Sequence, residues 1–227
     1  MTELLNLELT SVLLTLVGYQ VGLRLQKKLK SPICNPLAVA VVLVLLFMAL
    51  TGLENSTYQA ASVRLTWLIT PATVCLAIPM YEQVQVLKKN LKAMIAGIAA
   101  GALSCLGMVL LWAILFRIDR ELTVTLLPKS VTSAIGAPLS ELNGGIASIT
   151  TAAIILTGVI SSVLGTTLCK LFGLKDEISR GVAFGTSGHV IGTSRANELS
   201  PLTGAVSSLS LVVAGLLTAV VFPLVVP

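Results

Sequence analysis

The sequence predicts an all-α polytopic membrane protein with about eight membrane segments, two or three of them broken or re-entrant helices. Three observations predict it. Of 227 residues only 11% are charged and 55% are hydrophobic, whereas a soluble domain carries about 25% charge because its surface faces water. Four runs, Leu37–Leu53, Ala93–Phe116, Ile146–Cys169 and Pro201–Pro227, contain no Asp, Glu, Lys, Arg or His. Crossing hydrocarbon takes about 20 apolar residues, so the last three suffice and the first lies near the short limit. Finally, beyond residue 121 the clean apolar runs alternate with polar segments interrupted by Gly and Pro.

In chain order the first four helices are expected at 7–25, 36–53, 65–87 and 91–116, joined by short polar loops. Pro36 suits a first helical turn, where its missing N–H is not needed. The N-terminus, with Glu3 and Glu8 and no Lys or Arg before residue 10, lacks the basic start of a secretory signal, so the first run is expected to stay as a membrane helix. Arg24, Lys27, Lys28 and Lys30 are read as one short basic loop and Lys88, Lys89 and Lys92 as another. Short Lys/Arg-rich loops stay cytoplasmic, and two apolar spans separate these two, which puts the N-terminus outside. Each cluster abuts an apolar span and lacks interleaved aromatics, so a nucleic-acid partner is not expected.

After Arg117–Glu121 come two polar segments, 122–142 and 181–199, each followed by a clean helix at 146–169 or 201–226. The whole of 1–227 reads as a single membrane domain with an internal repeat at an offset of 57 residues. Pro71, Pro128 and Gly185 correspond, as do Thr73, Ser130 and Ser187; Gly101, Gly158 and Gly215 align further on, and Glu141 falls on Glu198. Each unit is a broken segment followed by an uninterrupted helix. If the broken element crosses, the repeats are parallel; if it re-enters, they are inverted. Carriers use both arrangements and bind at the broken elements.

Irregular backbone at membrane depth survives only when buried in protein or lining a wet cavity, so these segments are the candidate site. The first supplies Lys129, Ser130, Thr132 and Ser133 between Pro128 and Pro138; the second supplies Ser187, His189, Thr193 and Arg195. An intramembrane cation costs about 2.5–3.5 kcal/mol on insertion scales and tends to face a partner. Lys129 and Arg195 together suit a carboxylate, with hydroxyls and helix N-termini completing the shell. The plainer readings are a snorkelling Lys129, a glycine packing stripe at 181–192, a core His189, and interfacial Glu141 and Glu198 in place of a coupling pair. Glu82 is a third acidic candidate.

Catalysis and cofactors are not expected. The chain has no GxSxG, HExxH or P-loop, and a single His excludes a multi-His metal centre. Cys34, Cys75, Cys105 and Cys169 are widely spaced without a CxxC and read as small hydrophobes. A Ser–Lys129 intramembrane protease is the nearest catalytic alternative, and the same residues fit a binding site equally well.

Leu127-Pro-Lys-Ser-Val-Thr132, Gly144-Gly-Ile146, Leu156-Thr-Gly-Val-Ile160 and Gly185-Thr-Ser-Gly-His-Val-Ile-Gly-Thr-Ser-Arg-Ala-Asn-Glu-Leu199 resemble the LrgB/CidB membrane-protein family, nearest its YohK-like bacterial branch. Asn35-Pro-Leu37 and Pro71–Tyr81 extend the likeness over nearly the whole chain. Where relatives carry Thr-Pro-Ile after this motif, the present chain has Ser133-Ala-Ile135, leaving Pro138 as the break. The resemblance implies either of two functions. One is a carrier for a small monocarboxylate such as glycolate, glycerate or pyruvate, as for the plastid glycolate/glycerate translocator whose C-terminal half is related. The other is a holin/antiholin-associated protein modulating murein hydrolase activity and lysis, with an LrgA/CidA-type partner subunit. A homo-oligomer is compatible with either.

Overall fold

With no internal charges to solvate, the apolar runs can satisfy their backbone only within themselves, and they do so as helices. The structure, a computed structural model, describes residues 2–29, 36–75 and 77–226, and no strand occurs among them. The packing divides the chain into two compact units, Met1–Cys75 and Leu76–Pro227.

The first unit holds α1 (Thr2–Leu29), α2 (Pro36–Thr51), α3 (Asn55–Ala61), α4 (Val63–Trp67) and α5 (Ile69–Cys75). α2 begins at Pro36 as expected. Its start lies against α1 so closely that a Cβ on Gly22 would stand 2.6 Å from the Pro36 Cα. Ser11 donates to the Ala61 carbonyl at 3.0 Å, and Arg64 pairs with Glu8 at 2.8 Å. The expected basic loop is helical: Arg24, Lys27 and Lys28 lie in the last turns of α1. Lys30 and Cys34 fall outside the described residues.

The second unit holds α6 (Ala77–Glu82), α7 (Val84–Phe116), α8 (Arg120–Leu126), α9 (Ser133–Leu142), α10 (Ala147–Leu171), α11 (Glu177–Leu199) and α12 (Pro201–Val225). Among the described residues only α7, α10 and α12 are long and apolar enough to cross a membrane. Two expectations are corrected here. The helices expected at 65–87 and 91–116 are instead short pieces, α4 to α6, followed by one 33-residue helix. Lys88, Lys89 and Lys92 therefore sit in the first turns of α7, because Lys is a good helix former and three of them do not break a helix.

Packing fixes the directions within this unit. Leu87 and Met94 of α7 share a cluster with Val206 of α12, joined by Ile178 and Val182 of α11. Leu106 and Val109, further along α7, cluster with Val124, Leu127 and Phe222. α7 and α12 thus run parallel. The start of α10 lies with α8, since the Thr150 hydroxyl donates to the Thr125 carbonyl at 2.8 Å. Its end lies with α11, where Cys169 clusters with Phe184 and Ala196, so α10 runs the opposite way.

The ends are cut by caps. Asp119 accepts from the Leu122 N–H at 2.7 Å, and Asp176 from Ile178 and Ser179 at 3.0 and 2.8 Å. Ser200 accepts from Thr203 at 3.0 Å ahead of Pro201. A cap of this type is worth about 1 kcal/mol.

Candidate functional site

Both polar segments fold back on themselves. In the first, Arg120 at the start of α8 donates to the Asn143 carbonyl, just past the end of α9, at 3.2 Å. Deeper in, the Thr150 hydroxyl meets both the Thr125 carbonyl at 2.8 Å and the Ser140 hydroxyl at 2.7 Å. Thr125 and Ser140 are therefore level with each other, and α8 and α9 are the two legs of a hairpin with its tip at residues 127–132. Seven- and ten-residue legs reach about 10 and 15 Å, near half of a ~30 Å hydrocarbon core. Pro138 is not the break; it stands inside α9, and the reversal lies upstream of Thr132.

The second hairpin is one continuous stretch of polar helix turned at His189. That residue adopts φ 42° and ψ −136°, far outside helical values. A Cβ on Gly192 would stand 2.6 Å from the Phe184 carbonyl oxygen, although eight residues of straight helix span about 12 Å. Phe184 and Ala196 share one apolar cluster, with Leu174 and Leu199 packed on it, so both legs return to the same end. This hairpin starts at the end of α10 and the other at the end of α7. They enter the unit from opposite ends.

His189 holds its turn through buried contacts. It is 3% exposed, and its Nε2–H donates to the Ile154 carbonyl of α10 at 2.8 Å. Thr193 donates to the His189 carbonyl and lies 2.8 Å from the Ser207 hydroxyl of α12. The Thr193 hydroxyl proton is thus spent on the turn itself. A non-glycine residue at positive φ costs about 1–3 kcal/mol and persists only where its surroundings over-determine it.

The tips converge. Ser130 and Val131 from the first hairpin and Thr186 from the second line one small cavity, closed by Cys105 of α7 and by Ala214 and Thr218 of α12. Its volume is about 10 Å³, room for a single water. Half-buried Lys129 places its ammonium 3.4 Å from the Ser130 hydroxyl, beside this cavity. Thr132 precedes the first turn of α9, and Ser133 beside it is exposed. The returning legs both start at the tips, so their positive N-terminal ends lie there too.

The other candidate residues lie apart from this cavity. Ser187 donates to the Ala183 carbonyl at 2.7 Å and, 3.3 Å from Ser161, lines a separate apolar cavity of about 340 Å³. Arg195 is six residues down the returning leg and ion-paired with Glu198. Glu141, Glu198 and Glu82 are exposed. Among the described residues no cluster of potential metal ligands occurs, and Cys75, Cys105 and Cys169 are free thiols.

Sequence reasoning did not single out Thr186 or the Thr125–Ser140–Thr150 hydroxyl cluster. Thr186 carried a signal, standing beside Ser187 in the polar stretch. Thr125, Ser140 and Thr150 did not, because isolated hydroxyls at those spacings mark no single helix face.

A helical unit with three membrane-length helices and two hairpins inserted from opposite ends defines a membrane protein. The profile of the LrgB-like family matches residues 15–227, and the chain belongs to that family. No solved structure matches it.

Proposed function

We propose that this protein is a secondary carrier for a small monocarboxylate such as glycolate, glycerate or pyruvate. The observation that carries the reading is the meeting of Ser130 and Thr186, from hairpins of opposite entry, at one cavity beside Lys129. Carriers built from inverted repeats place their sites where such broken elements meet at the bilayer midplane.

The 57-residue repeat fits this arrangement. The extended residue before α9, Thr132, and the turn at His189 lie 57 positions apart. Gly158 and Gly215, also equivalent, each admit a residue of the hairpin belonging to the other unit, His189 and Ile135. In this reading α8–α9–α10 and α11–α12 are inverted copies and the present state is occluded. Separation of one hairpin from the long helices opens the site to one side, and separation of the other opens it to the opposite side. Lys129 supplies the charge for the carboxylate, with Ser130 and Thr186 donating to its oxygens or to a neighbouring hydroxyl.

Orientation follows from charge. Lys88, Lys89, Lys92, Lys170, Lys175 and Arg180 lie toward the end where α7 starts and α10 stops, against Arg117 and Arg120 at the other. By the positive-inside rule the α11 hairpin enters from the cytoplasm and the α8–α9 hairpin from outside the inner membrane. α1 carries its basic residues in its last turn, which agrees with an external N-terminus.

The test is counterflow of labelled glycolate in proteoliposomes of this chain alone, with pyruvate and glycerate as competitors. Saturable exchange that disappears in Lys129→Ala supports the carrier. Exchange that persists unchanged in that variant contradicts the assigned site. No exchange by folded protein, restored by an LrgA/CidA-type partner, makes the carrier a two-subunit one. No exchange in either case favours the lysis-modulating reading.

A further inference from the structure

α12 brings to the shared cavity a hydroxyl that the assigned site leaves unused. A Ser or Thr inside a helix can return its proton to the carbonyl one turn back. Thr123, Thr125 and Thr193 do so here, at 2.8, 2.7 and 2.8 Å. Thr218 does not. It is 4% exposed and lines the cavity, yet its hydroxyl has no hydrogen-bond partner among the described residues. A buried hydroxyl left in this way costs free energy unless something else meets it. Ser130, on the same cavity, accepts from the Lys129 ammonium at 3.4 Å and donates its own proton to no described group. The repeat supplies a comparison. Ser161 and Thr218 are equivalent at the 57-residue offset, and so are Ser130 and Ser187. Ser161 and Ser187 lie 3.3 Å apart and can satisfy each other. At the other pair of the same positions, Thr218 and Ser130 border a cavity instead of meeting.

We propose that Thr218 is a substrate-binding residue: its O–H, the Ser130 O–H and the Lys129 ammonium form one donor set for a carboxylate. This rests on the carrier reading and adds to it a fixed helix, α12, as the third wall of the site. The chemistry of the set selects the ligand. A carboxylate accepts at about four lone-pair positions and carries the charge that Lys129 matches. A metal cation would face that ammonium. A neutral amide of the same shape would turn N–H donors toward groups that themselves donate. At about 10 Å³ the cavity is closed down on its hydroxyls, so the carboxylate enters as the hairpin tips part from α12.

The test is thermal unfolding of the purified full chain in detergent, titrated with glycolate or with its neutral amide, glycolamide. Glycolate should stabilise wild type and glycolamide should not. Thr218→Val keeps the shape and deletes the hydroxyl, and it should weaken glycolate binding about 10- to 100-fold, the worth of a hydrogen bond to a charged group. Without ligand it should unfold no lower than wild type, because the group it loses has no partner. Thr218→Ser should keep most of the binding. Ser208→Ala removes another unpaired hydroxyl of α12, one sealed away from the cavity, and should leave glycolate binding unchanged. A ligand-free Thr218→Val that unfolds below wild type overturns the proposal, since the hydroxyl then has a structural role. Undiminished glycolate binding by Thr218→Val, or equal losses in the Val and Ser variants, overturns it and leaves the carrier reading standing. A wild type that responds equally to glycolamide, or not at all to glycolate, overturns both.

Discussion

Gly158 lies directly under His189: a Cβ on the glycine would stand 2.6 Å from the imidazole Cε1. The missing side chain lets the ring reach the Ile154 carbonyl, one turn earlier on α10. Gly158→Ala should therefore push the His189 turn away from α10 and destabilise the protein by about 1–3 kcal/mol, the usual cost of overpacking. Gly107→Ala, with nothing within 4 Å of the new methyl group, should be neutral or slightly stabilising. Thermal unfolding of both variants in detergent checks the contrast.

Thr193 and Ser207 join the returning leg of the second hairpin to α12 through buried hydroxyls 2.8 Å apart. Thr193→Val leaves the Ser207 hydroxyl and the His189 carbonyl without their partner and should cost about 1–3 kcal/mol. The double variant with Ser207→Ala should cost less than the sum of the singles. A double-mutant cycle with strict additivity would rule out the link.

Lys129 places its ammonium 3.4 Å from the Ser130 hydroxyl that lines the shared cavity, and removing it should affect transport more than folding. Lys129→Ala should lower exchange about 10- to 100-fold, the worth of a charge-assisted hydrogen bond. Lys129→Arg, which retains the charge, should keep part of the activity. Equal losses in both variants would show that shape rather than charge matters at this position.

Asp176 gives a pH dependence outside the membrane segments. Hydrogen bonds from the Ser179 side chain, then from the Ser179 and Ile178 backbone N–H groups, hold its carboxyl below the ordinary carboxylate value, helped by Arg180. Because the folded value is depressed, the stabilisation is complete above the ordinary carboxylate range. It is lost as pH falls through the folded value. Asp176→Asn keeps a cap but not the charge, so its deficit against wild type should be constant near neutrality and vanish in strong acid. A deficit that grows on acidification would contradict this sign.

The long helices were legible because an uncharged run has only one way to satisfy its backbone in lipid. Ile146–Cys169 became Ala147–Leu171, and Pro201 opened the last helix as expected. The short helices between 63 and 82 were legible only in part: the repeat set a broken segment at Pro71, while the interruptions at Ser62, Leu68 and Gln83 carry no Gly or Pro and match a continuous span. The polar segments were recognisable as broken, yet their fold-back was not. It depends on a positive φ at His189 and on close approaches at Gly158 and Gly192, which are properties of partners distant in sequence. For the same reason Arg195 read as a site residue, while its spacing to Glu198 suited a local ion pair equally well.

Entry of the two hairpins from opposite faces can be read by labelling single cysteines with a membrane-impermeant maleimide in a cysteine-free background. Glu121→Cys and Glu141→Cys flank the first hairpin; Lys175→Cys and Glu198→Cys flank the second, and all four positions are exposed. The first pair should react only from outside and the second pair only from the cytoplasmic side. Reaction of Glu121→Cys and Glu141→Cys from opposite faces would mean that the broken segment crosses the membrane, and the inverted arrangement would be wrong.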